Sequence, residues 1–525
     1  MPRDALPSTP AAAPRSRRQV RMAMGGLMLG MLLAALDQTI VATALPTIVG
    51  DLHGLPRLSW VVTGYILAMS VVMPIYGKLG DIYGRKSVYL SAIVIFLAGS
   101  ALSGLATSMD QLIGFRVLQG FGAGGLMITA YAMIADLAGP RERARYQGYV
   151  GAVNGFAPVA GPIAGGFLTD QLSWRWAFYV NLPIGVLALL LGVLVIKLPR
   201  PAGRARIDVL GAALLAGALG ALVLLASWGG TQYRWSSPVI IGLAVASALM
   251  SVLFVLVERR VPEPIIPLRL FRLTAFDIAA VASFVIGFAR FGSVTFLPLF
   301  LQIVSGADAT NSGLLLLPMM IGVIVAAKVS GQLIARTGRY KWSPIAGTAT
   351  MLVGFCLLST MNANTSEVVS CAYMVVLGIS FGLSIPVMML IAQNTAVHAD
   401  VGSATSTVGL SLSIGASFGV SVFGAIFTAR SAAEIDRLLP PSAAGQLAHN
   451  GSITPNLVHS LPSVLRHDFQ VGYASALTDL FRWAVPFVVV AFVLALALRE
   501  VPLRPAGEST PAVRQSPKAP PRFRR

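Results

Sequence analysis

Apolar positions along this chain gather into long unbroken runs, separated by short breaks rich in charged residues, Pro and Gly. A helix rises about 1.5 Å per residue, so about 20 apolar residues match the hydrocarbon thickness of a bilayer. Fourteen runs of this kind stand out: 22–43, 58–76, 88–106, 112–135, 146–168, 177–196, 209–228, 239–257, 275–303, 313–334, 342–360, 368–392, 404–427 and 480–497. The pattern predicts an all-α polytopic membrane protein with an even number of spans and no soluble domain between them.

Composition supports a lipid solvent. Of 525 residues, 55% are hydrophobic and 11% charged, with a mean hydropathy of +0.75, whereas soluble domains carry about 25% charged residues. Cytosolic enzymes, nucleic-acid readers and disulfide scaffolds are excluded on that ground. The net charge of +18 is explained by topology, because 29 of the 39 Lys and Arg fall in one set of alternate compartments and only 7 in the other. Cytoplasmic loops collect positive charge, so both termini are expected in the cytoplasm, the chain in the cell (inner) membrane, and no nucleic acid among its partners. The first run is too long for a cleaved leader and carries Asp37. Cys356 and Cys371 lie in apolar stretches and all five His in polar segments, so neither a metal site nor a cofactor is expected. A Gly-x4-Gly-Lys-Ser/Thr phosphate loop is absent from the sequence, which argues against an intrinsic ATP pump.

The loops after the second and tenth runs repeat one another. Gly77-Lys-Leu-Gly-Asp-Ile-Tyr-Gly-Arg-Lys86 matches Gly331-Gln-Leu-Ile-Ala-Arg-Thr-Gly-Arg-Tyr340 at four of ten positions. Repetition at equivalent topological places predicts two six-helix halves, 22–200 and 261–500, with 201–260 as an inserted helix pair. Basic tails at 1–21 and 501–525, rich in Pro, Ala and Arg, are expected to be disordered. A long external segment spans about 429–479.

Taken with three further motifs, the first of these loops resembles the major facilitator superfamily, in its fourteen-helix drug/proton antiporter family of the EmrB/QacA type. The resemblance covers nearly everything from Gly25 to Arg499. It implies that Gly77, Asp81, Gly84, Arg85 and Lys86 form a cytoplasmic gate, with Asp81 and Arg85 latching the two halves. The second loop has Ala335 where the acid would stand, so only the first should latch. Leu36-Asp-Gln-Thr-Ile-Val-Ala-Thr-Ala-Leu-Pro46 resembles the family's helix 1 motif, except that Ala42 replaces its usual Asn. Arg116-Val-Leu-Gln-Gly-Phe-Gly-Ala-Gly124 resembles its proton-associated helix 4 motif. The antiporter motif of helix 5 is matched between Gly151 and Gly166, with Gly151, Gly155, Pro158, Gly161, Pro162, Gly165 and Gly166 as its backbone-shaping residues. That motif implies export rather than uptake.

Depth in the bilayer supports a proton site. Asp37 lies about 22 Å from the cytoplasmic end of its run and Arg116 about 8 Å below the external surface, which puts both at about the same level. An acid there needs a partner or water, so Asp37 and Arg116 are the candidates for proton coupling, against structural roles as a satisfied acid and a static anchor. The glycines and prolines of helix 5 predict kinking and close helix contact. Arg290 and Lys328 also fall within apolar runs. Lys328 is near enough to an end to snorkel, while Arg290 is a candidate to read an anionic cargo group, with Asp277 as an alternative partner. Trp60, Tyr65, Tyr131 and Phe156 are candidate cavity aromatics.

The expected function is proton-coupled export of hydrophobic or amphipathic small molecules, as in multidrug efflux, by alternating access. Protons, the small-molecule substrate and the lipid bilayer are the expected partners. The competing readings are the same fold exporting a lipid, siderophore or endogenous metabolite, and, more remotely, a membrane-embedded enzyme or sensor.

Overall fold

The computed structural model describes residues 17–52, 57–196, 198, 208–230, 232–304, 313–438, 463–500 and 503. The described part is helical: α1 (Arg17–Leu52), α2 (Leu58–Tyr83), α3 (Arg85–Leu105), α4 (Met109–Leu137), α5 (Pro140–Gln171), α6 (Trp176–Tyr179), α7 (Asn181–Val195), α8 (Val209–Trp228), α9 (Pro238–Glu258), α10 (Thr274–Leu299), α11 (Leu317–Thr337), α12 (Trp342–Leu358), α13 (Glu367–Thr395), α14 (Val401–Leu438) and α15 (Ser463–Ala497). Each of the fourteen apolar runs overlaps one of these helices, with α6 and α7 together forming one span.

Twelve of the helical segments are long and apolar enough to cross a membrane. The two others among the fourteen are α12, which has 17 residues, and α5, whose apolar content is diluted by a charged first turn and many glycines. Both flanks of the predicted 429–479 segment are helical instead, because α14 continues to Leu438 and α15 begins at Ser463. The basic tails lie almost wholly outside the described residues, as does the middle of that segment.

Helix starts are fixed by side chains that accept from otherwise orphaned amides. Ser108, Asp208, Ser237 and Ser366 cap α4, α8, α9 and α13 in this way. Gly84 and Gly338, at matching positions of the two repeated loops, both take positive φ, 91° and 72°. That left-handed backbone is what turns the chain tightly between α2 and α3 and again after α11.

Two helix groups result. In the first, α1 packs on α4, α5 and α7, and α4 packs on α2 and α3; in the second, α10 and α14 pack together, α11 and α12 pack on α13, and α15 closes against α12 and α14. They meet where α2 crosses α14 and α5 crosses α11. The α8–α9 hairpin lies against α2 and α14, and Val245, Leu249, Val252 and Leu256 of α9 stay exposed, as a lipid-facing surface requires.

Close helix approach depends on residues without bulk. A Cβ at Gly415 would collide with the Phe284 carbonyl and one at Gly287 with the Leu412 carbonyl, so α10 and α14 touch backbone to backbone. Gly415→Val is therefore expected to lower the yield of monodisperse protein and its thermal midpoint sharply in detergent. Gly166→Ala should leave both unchanged or slightly raised, since nothing lies within 4 Å of the added methyl and Ala is favoured in helices by about 0.5–1 kcal/mol. Size-exclusion profiles and thermal melts of the two variants check this, and equal behaviour would remove the steric account.

Candidate functional site

A carboxylate placed in hydrocarbon must be satisfied by its neighbours, and Asp37 is. It is fully buried on α1, and its Oδ2 accepts from Arg116 Nη1 of α4 at 2.5 Å. Its Oδ1 accepts from Gln119 Nε2 at 2.7 Å and from Asn181 Nδ2 at 2.8 Å. Arg116 also donates to Gln119 Oε1 at 2.7 Å, and its guanidinium lies 4.1 Å from the Tyr65 ring centroid and 5.9 Å from that of Phe178. Asn181 reaches Ser100 Oγ at 3.0 Å, and Ser100 donates to the Phe178 carbonyl at 2.8 Å. One acid thus gathers α1, α3, α4 and the α6–α7 span.

The predicted Asp37–Arg116 pair is brought together. Among the side chains around it, the sequence singles out Tyr65 but not Gln119, Asn181 or Ser100. Gln119 carried a signal, since it stands three residues after Arg116 and so on the same helix face. Asn181 and Ser100 carried none beyond being isolated polar residues in apolar runs. Tyr65 sits beneath Arg116 and does not line the central cavity.

The second cluster lies at the basic end, where the repeated loops are found. Asp81 Oδ1 accepts from Arg85 Nη2 at 2.7 Å, and its two oxygens accept from the amides of Gly402 at 3.2 Å and Ser403 at 3.1 Å. Those amides open α14, so a carboxylate of the first half caps a helix of the second and complements its dipole. Arg85 pairs with Asp136 as well and donates to the His398 carbonyl at 3.3 Å. Gly77 allows the crossing, because a Cβ there would stand 2.7 Å from the Gly402 carbonyl. Lys86 donates to the Val193 carbonyl at 2.9 Å, inside its own half, and takes no part in joining the halves.

The second loop lacks the acid, and its amides are held instead from within the same half. Glu500 Oε1 accepts from the amides of Tyr340 at 2.6 Å and Lys341 at 3.1 Å, and the Leu503 amide donates to the Gly338 carbonyl at 2.9 Å. Arg141 of α5 donates to the Leu503 carbonyl at 3.3 Å, so the segment after α15 joins the halves. The acid came from a distant stretch of chain, which no comparison of the two loops could reveal.

Between these clusters, α5 divides its glycines between two neighbours. Gly151 and Gly155 face Ala327, Ile324 and Val323 of α11, together with Gly148, while Gly161 and Gly165 face Thr39, Ile40 and Thr43 of α1. Gly166 faces nothing within 4 Å. Helical structure runs unbroken through Pro158 and Pro162, so close contact rather than helix interruption is the main effect of this composition. Beside that contact, Gln147 and Gln393 join across the halves at 3.2 Å, and Gln393 donates to the Tyr131 carbonyl at 2.9 Å.

Above the glutamines lies a cavity of about 20 Å³ lined by Tyr131, Gly151, Asn154, Arg290, Val323, Phe381, Gly382, Ile385 and Pro386. Tyr131 and Arg290 of the candidate set meet there. Trp60 does not, because it packs on Trp228 of the α8–α9 hairpin with ring centroids 5.5 Å apart. Phe156 is 50% exposed and stands outside the cavity lining. Asp277 is thirteen residues before Arg290 on one helix, hence about 20 Å away along its axis, and does not pair with it. Lys328 is exposed, as a snorkelling lysine would be.

Known proteins give the same architecture. The profile of the Major Facilitator Superfamily matches residues 27–420. An uncharacterized MFS-type transporter of Mycobacterium tuberculosis is 45% identical over 91% of this chain and 69% of its own length. The multidrug transporter protein MdtP of Bacillus subtilis is 36% identical over 91% of this chain and 93% of its own, and multidrug resistance protein 3 of that organism is 37% identical over 77% and 78%. The crystal structure of the human organic anion transporter MFSD10 superposes with a TM-score of 0.61 over 91% of this chain and 99% of that one, at 14% identity, a likeness of fold alone. The chain belongs to the major facilitator superfamily: it is a multi-pass membrane transporter of small molecules rather than an enzyme.

Proposed function

We propose that this transporter is a proton-coupled antiporter exporting hydrophobic or amphipathic compounds, of the fourteen-span type, with both termini in the cytoplasm of a cell (inner) membrane. The buried Asp37–Arg116 pair carries the reading. Relatives named as multidrug transporters and efflux pumps support the direction and the cargo.

Arg116 and a proton compete for the same carboxylate. In this arrangement Arg116 occupies the carboxylate; when helix movement separates the two, an isolated charge in hydrocarbon is costly and a proton takes the arginine's place. Gln119 and Asn181 hold the carboxylate in place while its partner changes. The basic end faces the cytoplasm in this reading, and its clamps make the conformation one closed to the cytoplasm. Ala42, Thr43, Pro46 and Thr47 are exposed on α1 beyond Asp37, in keeping with a vestibule open to the other side. Gly148, Gly151 and Gly155 give α5 a low-relief surface against α11 on which the halves can rock.

Asp37→Asn is expected to abolish accumulation of a lipophilic dye against its gradient in proteoliposomes driven by a pH difference, by at least about tenfold, because the amide cannot cycle a proton. Downhill dye exchange should survive. Breaking a buried pair can destabilise by about 3–5 kcal/mol, so thermal melts of Asp37→Asn and Asp37→Glu accompany the assay. Undiminished uphill accumulation in folded Asp37→Asn would overturn the coupling role.

Asp81→Asn removes the charge from the α14 N-terminus and the partner of Arg85. Spin labels on the basic-end loops of the two halves should show a population shifted to longer distances, and removal of residues 500–525 should widen it further, since the clamps share no residue. Unchanged distances in both variants would reduce these contacts to topological anchors.

A further inference from the structure

Three arginines lie in or beside the protein interior at the helix crossings, and two of them are paired, Arg85 with Asp81 and Asp136 and Arg116 with Asp37. Arg290 differs. Among the described residues it makes neither an ion pair nor a hydrogen bond, and its nearest ring contact is Phe291, 5.4 Å from the centroid. It nevertheless lines the cavity that both halves form, in the company of Tyr131 and Asn154. Asn154 Nδ2 donates to the Tyr131 hydroxyl at 3.4 Å and to the Val150 carbonyl at 3.2 Å. Tyr131 therefore accepts from the amide and keeps its own proton to give to a third group.

An uncompensated guanidinium among Val323, Phe381, Ile385 and Pro386 is costly, and an entering anion would relieve that cost. The donors present are a guanidinium fork and a phenolic O–H, the set that suits a carboxylate, with its planar pair of acceptor oxygens. The space of about 20 Å³ is of the size one water fills. Cargo therefore enters only as the halves part and the space around Arg290 widens. We propose that Arg290 and Tyr131 form the anion-reading end of the cargo site, so that the exporter's preferred cargo is amphipathic and carries a carboxylate. The proposal rests on the exporter reading above and names the cargo's chemical class.

A matched probe pair tests it by equilibrium binding to the purified full-length protein: rhodamine B, which has a free carboxylate, and rhodamine B ethyl ester, which does not. The protein should bind the acid more tightly than the ester by about tenfold, the scale of one charge-assisted contact. Arg290→Ala and Arg290→Gln should erase that preference by weakening the acid alone. Arg290→Lys should restore part of it, and Tyr131→Phe should lower it to a smaller extent. Thermal melts of Arg290→Gln separate binding from folding. No preference for the acid in the unaltered protein, or equal weakening of both probes in folded Arg290→Gln, overturns the proposal. Failure of uphill transport in proteoliposomes would instead sink the exporter reading, leaving the binding preference standing by itself.

Discussion

A charge within the hydrocarbon layer must find a partner inside the protein, and that constraint organises this molecule. An ionised side chain at the middle of a spanning helix costs about 2.5–3.5 kcal/mol or more when unpartnered. Asp37 escapes the cost only because four elements converge on it. Arg116 and Gln119 come from α4, Asn181 from α7, and Ser100 of α3 holds Asn181. The pair is thus also a packing device, since losing the acid would leave a buried cation and an amide without their acceptor.

The same rule explains the basic end. Asp81 sits on a spanning helix and is almost completely buried, yet it is satisfied by one arginine and by two backbone amides of α14. Using a helix start as the partner has a mechanical consequence. Side-chain pairs can follow one another as helices tilt, whereas amides at a helix terminus hold a fixed direction, so the contact makes and breaks over a short movement. A contact built this way is either made or broken, with little between. At the second loop, where Ala335 leaves no acid, Glu500 accepts from loop amides of its own half.

How far the sequence foretold this depends on distance along the chain. Helix positions were legible, because each is fixed by a local run of apolar residues. Asp37 and Arg116 could be matched by depth, a quantity that rise per residue supplies without knowing the fold. The unread parts are contacts between far-apart stretches: Glu500 with Tyr340, Gln147 with Gln393, Asn181 with Asp37. Glu500, Gln147, Gln393 and Asn181 stand outside the sequence motifs, and nothing local distinguishes them from polar residues that are merely packed or solvated. Trp60 misled for the complementary reason, as a large aromatic suits a cavity wall and the edge of the α8–α9 hairpin equally well.

Helix α5 ties the two charged sites together. Gly161 and Gly165 press its later turns on Thr39, Ile40 and Thr43 of α1, immediately beyond Asp37, while Gly148, Gly151 and Gly155 press its earlier turns on α11 of the other half. A change of partner at Asp37 that shifts α1 must also move α5, because interpenetrating glycine contacts leave no slack. Movement of α5 in turn changes the surface it offers to α11 and the position of Asn154 in the Arg290 cavity. The Asp37 cluster, the α11 contact and the Arg290 cavity are therefore joined through one helix with two small-residue seams. In the proposed mechanism, that joining carries a change of partner at Asp37 into relative motion of the halves.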